Sequence, residues 1–168
     1  MKKTFLSIAL TAIALSSVMA QNDRIPNYDF WLGKWDLTWD DGEGKTGKGT
    51  NNIVKILDGK VIQENFEALE GKFKGFKGMS MSVYSPQRKV WKQSWTDNQG
   101  GYFDFTGGKK DENLTFETAK RDKDGIWSQQ RMVFYNITEN SLTWDWEATT
   151  DGGKTWNLQW RINYQRAK

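Results

Sequence analysis

The stretch Ser141-Leu142-Thr143-Trp144-Asp145-Trp146-Glu147-Ala148-Thr149, followed beyond Asp151-Gly152-Gly153 by Thr155-Trp156-Asn157-Leu158-Gln159-Trp160-Arg161-Ile162-Asn163-Tyr164, decides the fold. Leu142, Trp144, Trp146 and Ala148 alternate with polar residues, and Trp156, Leu158, Trp160, Ile162 and Tyr164 repeat the pattern. A period of two sends successive side chains to opposite faces of an extended chain, so each segment reads as a strand with one apolar, aromatic face. Between them Asp supplies side-chain-to-backbone hydrogen bonds and Gly supplies positive φ, the chemistry of a tight hairpin.

Working outward, Trp35, Leu37 and Trp39 alternate with Asp36, Thr38 and Asp40, and turn residues interrupt such runs along the whole chain. Breaks at Asp41-Gly42-Glu43-Gly44, Asp58-Gly59, Glu70-Gly71, Ser85-Pro86-Gln87, Asn98-Gln99-Gly100, Gly107-Gly108, Asp122 to Gly125, Thr138 to Asn140 and Asp151 to Gly153 separate about ten expected strands. These cover 35–40, 49–57, 60–68, 77–85, 89–97, 101–107, 113–119, 126–136, 141–149 and 155–165. Short connections favour an antiparallel meander, and an open sheet of that size would leave unpaired edges. The expectation is therefore an all-β chain forming a single antiparallel up-and-down barrel. Residues 27–32 are expected to form a short helical turn plugging one end.

Composition excludes more chemistry than it suggests. The chain of 168 residues has no Cys and no His, which removes disulfides, thiol nucleophiles, zinc-thiolate sites, Ser-His-Asp triads and His-ligated haem. No metal site and no cofactor is expected. Lys2-Lys3, the apolar run Phe5 to Leu15 and the small-residue site Val18-Met19-Ala20 before Gln21 read as a cleaved export signal over 1–20, with one domain over 21–168. The apolar run is shorter than the roughly 20 residues of a spanning helix. The expected location is periplasmic or extracellular, with no membrane span after cleavage, as a monomer or weak dimer. Losing Lys2 and Lys3 lowers the formal charge from +3 to +1, and the interspersed charges argue against nucleic acid as a partner. The Lys-rich segment 72–77 reads as an exposed hairpin rim whose lysines discourage edge pairing.

Two motifs carry resemblances. Phe30-Trp31-Leu32-Gly33-Lys34-Trp35 contains the Gly-x-Trp that opens calycin-type ligand-binding barrels. That resemblance implies that Trp35 packs across the closed end against an Arg of the last strand, Arg161 or, second, Arg166. Together with residues 57–64, 91–97 and 100–108, residues 29–36 resemble a bacterial family of secreted lipocalin-like domains of unknown function. Fatty-acid-binding proteins and nitrobindins share that barrel architecture at the level of fold. Thr149 to Trp156 resembles the Asp-box of sialidases, which here implies a hairpin and not a glycosidase.

The barrel implies a small apolar or amphipathic ligand, and the candidate site residues are those that mix polarity with aromatic surface. Arg131 is the candidate cation for a carboxylate, through its planar fork. Asp104, sharing a strand face with Tyr102, could orient a ligand head or act as a base if that face points inward. Glu64 shares parity with Ile62 and Phe66 and is expected inside. Trp91, Gln93 and Trp95 share a face suited to lining a pocket, and Met79, Met81 and Val83 could add apolar wall. Asp145 and Glu147 share a face at a spacing permissive for paired-carboxylate hydrolysis. Three readings stay open: a ligand-binding barrel, a hydrolase or isomerase using Asp104 or Glu64, and a structural or protein-binding module.

Overall fold

Ten strands that each bury one face can satisfy every inner face and every backbone edge only by closing on themselves. The computed structural model describes residues 27–168 and has this form; the expected signal at 1–20 lies outside the described residues. After a 3-10 turn at Asp29–Trp31 come β1 (Gly33–Gly42), β2 (Lys45–Ile56), β3 (Val61–Glu70), β4 (Lys77–Ser85), β5 (Val90–Asp97) and β6 (Tyr102–Lys110). They are followed by β7 (Asn113–Thr118), β8 (Arg121–Lys123), β9 (Ile126–Tyr135), β10 (Ser141–Thr149) and β11 (Asn157–Arg166). All pairings are antiparallel between neighbours, and β11 pairs with β1, Leu37 opposite Tyr164, to close the barrel. The three-residue β8 pairs only with β9 and stands outside the closed ring. It was not expected from the sequence, because Arg121-Asp122-Lys123 carries no apolar alternation.

One end of the barrel is sealed by the segment that leads into β1. Tyr28 and Trp31 are buried, the Tyr28 ring lying 4.6 Å from Phe116 and 5.2 Å from Trp91, and the Tyr28 hydroxyl donates to the Thr115 carbonyl at 2.8 Å. Trp35 Nε1 donates to the Trp31 carbonyl at 2.7 Å. The guanidinium over the Trp35 ring, 3.7 Å from its centre, belongs to Arg166, which also hydrogen-bonds the carbonyls of Leu32 and Glu139. Arg161 is thus not the closing residue. It lies on the outer face, its guanidinium bound to Asp145 at 2.6 and 2.8 Å, because its place in β11 has the parity opposite to Ile162 and Tyr164. Gly33 explains the Gly of the Gly-x-Trp motif: its φ is +114°, and a Cβ there would collide with Arg166.

Inside, bulky rings are accommodated by bare backbone on the neighbouring strand. A Cβ added to Gly47 would overlap the Trp39 indole, one on Gly78 would overlap Trp95, and one on Gly107 would overlap Phe116. A ring laid over a cross-strand glycine covers backbone that has no side chain of its own. Trp31, Trp35 and Trp39, all fully buried, each remove about 150–250 Å² from water. At about 25 cal/mol per Å² that is roughly 4–6 kcal/mol apiece before conformational entropy is charged. Gly78→Ala is expected to lower stability by about 1–3 kcal/mol, read from the urea midpoint. Gly108→Ala, where an added methyl meets nothing within 4 Å, is expected to stay within about 0.5 kcal/mol of wild type. Equal effects of the two changes would contradict this packing.

Candidate functional site

The inner faces of β3, β4 and β5 carry a row of polar groups amid apolar neighbours. Glu64 is 5% exposed; Asn51 Nδ2 donates to its Oε1 at 2.7 Å and Ser80 Oγ to its Oε2 at 2.6 Å. Asn51 Nδ2 also donates to the Tyr164 hydroxyl at 3.2 Å. On the next strands Gln93, 2% exposed, donates to Ser82 Oγ at 2.9 Å. The register explains the row: Glu64 stands opposite Ser80 and Ser82 opposite Gln93, all on inward parity. The buried carboxyl thus has small hydroxyl and amide neighbours and, among the described residues, no Lys or Arg partner.

Above this row, toward the end of the barrel away from Trp35, a cavity of about 190 Å³ remains. Its walls are the rings of Phe66, Phe76, Phe103, Phe105 and the indoles of Trp95, Trp144, Trp146 and Trp160, with Met132 and Ile162. Glu64 and Tyr164 supply its buried polar surface, and Asp97 a second carboxylate nearer solvent. Trp144 and Trp146 lie stacked, 6.4 Å apart and 6° from parallel, while Trp160 stands at 90° to Trp144. Phe73 and Phe76 of the β3–β4 loop fold over this end, Phe73 packing 5.0 Å from Trp160 and Phe76 5.9 Å from Phe66. The loop is fastened on both sides: Lys72 N–H donates to Asp41, and Asn98 donates to the Gly75 carbonyl. The Lys-rich rim is exposed as expected, Phe73 included at 37%, and only Phe76 turns into the cavity that it lines.

Several residues expected at the site lie elsewhere. Asp104 points outward, its side chain 63% exposed and paired with Lys92 at 2.7 Å; Tyr102 beside it is 69% exposed. Phe103 and Phe105 take the inner positions of β6, which forces Tyr102, Asp104 and Thr106 out. Arg131 is also outside, bonded through Nε to Glu147 at 2.7 Å and stacked 3.9 Å over the Trp156 ring. Met132 and Phe134 hold the inner positions of β9. Val133, on the opposite parity, is nonetheless buried, so both parities of β9 look apolar. Met79, Met81 and Val83 are exposed and line no part of this cavity. Asp145 and Glu147 share the outer face as expected, but each is held by an arginine, so they do not form a paired-carboxylate site. Trp91 packs at the sealed end, while Gln93 and Trp95 face the interior as expected.

The Thr149 to Trp156 segment is a hairpin turn. Asp151 accepts hydrogen bonds from the backbone N–H of Lys154 and Thr155 and from the Thr155 hydroxyl, which hold its carboxyl well below the usual range. Residues that sequence reasoning missed are Asn51, Ser80 and Tyr164, the first two because Asn and Ser in a strand are ordinary and only the register puts them against Glu64.

Compared with protein-family models and with curated proteins, the chain matches none.

Burial pushes the Glu64 carboxyl up to about 7, against a partial opposing pull from the Ser80 and Asn51 hydrogen bonds. Burial, then the neighbouring Glu64, pushes the Tyr164 hydroxyl far above its ordinary value, so it stays protonated. The folded state holds the Glu64 proton more tightly than the unfolded chain does, so ionisation of Glu64 opposes folding. That penalty is absent below an unfolded value of 4.5, grows as pH rises through about 7, and is constant above it. Its full size is roughly 3 kcal/mol. Glu64→Gln keeps an acceptor for Asn51 and cannot ionise. The stability of this variant relative to wild type is therefore expected to rise by that amount between pH 4 and pH 8 in urea titrations; a difference independent of pH would contradict the burial of an ionisable Glu64.

Proposed function

We propose that this protein is an exported small-molecule-binding barrel that holds a single-ring, largely apolar compound in the tryptophan-lined cavity, with Glu64 as the polar anchor. The observation that carries this reading is the cavity itself. A closed ring of ten strands is wide enough to enclose a ligand cavity, and here about 190 Å³ is left open beside Phe76 of the β3–β4 loop. Apolar walls with one or two convergent polar groups are the usual construction of a small-molecule site. An apolar cavity of about 150 Å³ takes benzene, so this one suits one ring with a short arm. The leader-like residues 1–20 and the calycin-type opening around Trp35 support a carrier working outside the cytoplasm.

A second reading has one observation in its favour: a buried carboxyl brought near neutrality beside a cavity is what acid–base catalysis needs. Two features weigh toward binding. Both Glu64 oxygens already accept hydrogen bonds, and Asp104, the other carboxylate considered, sits outside on Lys92. The test is native mass spectrometry of the protein purified from its own host, intact against denatured. Wild type is expected to retain one small adduct, and Met132→Trp, which fills the cavity, to lose it. An adduct kept by both proteins, or by neither, would sink the carrier reading. Turnover abolished by Glu64→Gln would favour catalysis.

A further inference from the structure

Resting on the ligand-binding reading, we propose that the ligand is a small organic cation, an aromatic or alicyclic amine whose ammonium group lies toward Glu64 with its apolar body among the indoles of Trp144, Trp146 and Trp160.

The argument begins with the sign of the charges that line the cavity. Thirteen residues line it, and the ionisable ones are Glu64, Asp97 and Tyr164, with no Lys or Arg among them. The arginines of the surrounding strands are committed elsewhere, Arg131 to Glu147, Arg161 to Asp145 and Arg166 to the Trp35 end. The lysines of the β3–β4 loop, Lys72 and Lys74, are exposed. An anion entering here would meet two carboxylates and no counter-charge.

The second strand of the argument is the aromatic surface. Indole faces carry partial negative charge and attract cations, most strongly where water is excluded. Four of the lining residues are tryptophans and four are phenylalanines, and Trp144, Trp146 and Trp160 meet as two parallel planes and one perpendicular plane. That box presents π-faces from more than one side.

Hydrogen-bond capacity points the same way. An ammonium has three donors and no acceptor, and the Glu64 carboxylate on the cavity wall retains lone pairs beyond the two already engaged. An ammonium beside Glu64 would favour the carboxylate form, offsetting the desolvation that otherwise raises it. The groups facing Glu64 are Asn51 from β2, Ser80 from β4 and Tyr164 from β11, none of them cationic.

Three matched probes test this: 2-phenylethylamine, 2-phenylethanol and 3-phenylpropionate, titrated into the full protein at pH 7.5. Binding is followed by the indole N–H resonance of Trp160, assigned with Trp160→Phe. The amine is expected to bind at least about tenfold tighter than the alcohol, and the carboxylate weakest of all. Glu64→Gln is expected to bring amine and alcohol to within about twofold of each other; Asp97→Asn, at the mouth, is expected to weaken the amine by a smaller factor. Alcohol or carboxylate binding as tightly as the amine would overturn the cation assignment and leave the ligand-binding reading standing. Failure of all three to move the Trp160 resonance would overturn both.

Discussion

Closure of the sheet, β1 against β11 with Leu37 opposite Tyr164, is the constraint from which the rest of the molecule follows. Once the ring closes, every strand has one face that must share a narrow interior and one that must meet water. Trp35, Leu37 and Trp39 are then inside, and so by register are Ile162 and Tyr164 across from them. The Arg166 guanidinium over Trp35 and the turn Asp29–Trp31 finish one end, which is why the interior has a floor on that side.

The floor gives the cavity its direction. The inner residues near it are packed rings, Tyr28, Trp31, Trp91, Phe116 and Phe134. Further along, the rings stand against the walls and leave space, with Gly47 and Gly78 letting Trp39 and Trp95 lie flat. Glu64 sits where these two regimes meet. It is buried with no cationic partner among the described residues, and its ionisation is costly to the fold, so a group of opposite charge placed beside it would offset that cost. Stability and ligand preference are linked here through one carboxyl.

Several of the site residues were legible by parity alone. Glu64 aligns with Ile62 and Phe66, and Gln93 with Trp91 and Trp95, and the structure places all of these on inner faces. Asp104 was ambiguous only because its own strand has aromatics on both parities, Tyr102 on one and Phe103 with Phe105 on the other. Arg131 was misleading for a more physical reason: Val133 and Tyr135 on its face look like core but stand on the outer parity, the Arg161–Asp145 pair lying against Tyr135. Reversing that one face removed the expected cation from the interior, and with it the expectation of a carboxylate ligand.

What the sequence determined by itself is the local pattern: period-two alternation, Gly and Asp turns at every break, and too many aromatic faces for an open sheet. Those are short-range properties, set by backbone geometry and side-chain size. What only the tertiary structure decided is which strand faces meet, because register couples residues far apart in the chain, Asn51 with Tyr164 and Glu64 with Ser80. Alternation says that two faces differ, but closure says which of them is inside. The sign of the charge in the cavity is therefore a property of the closed ring and not of any one strand.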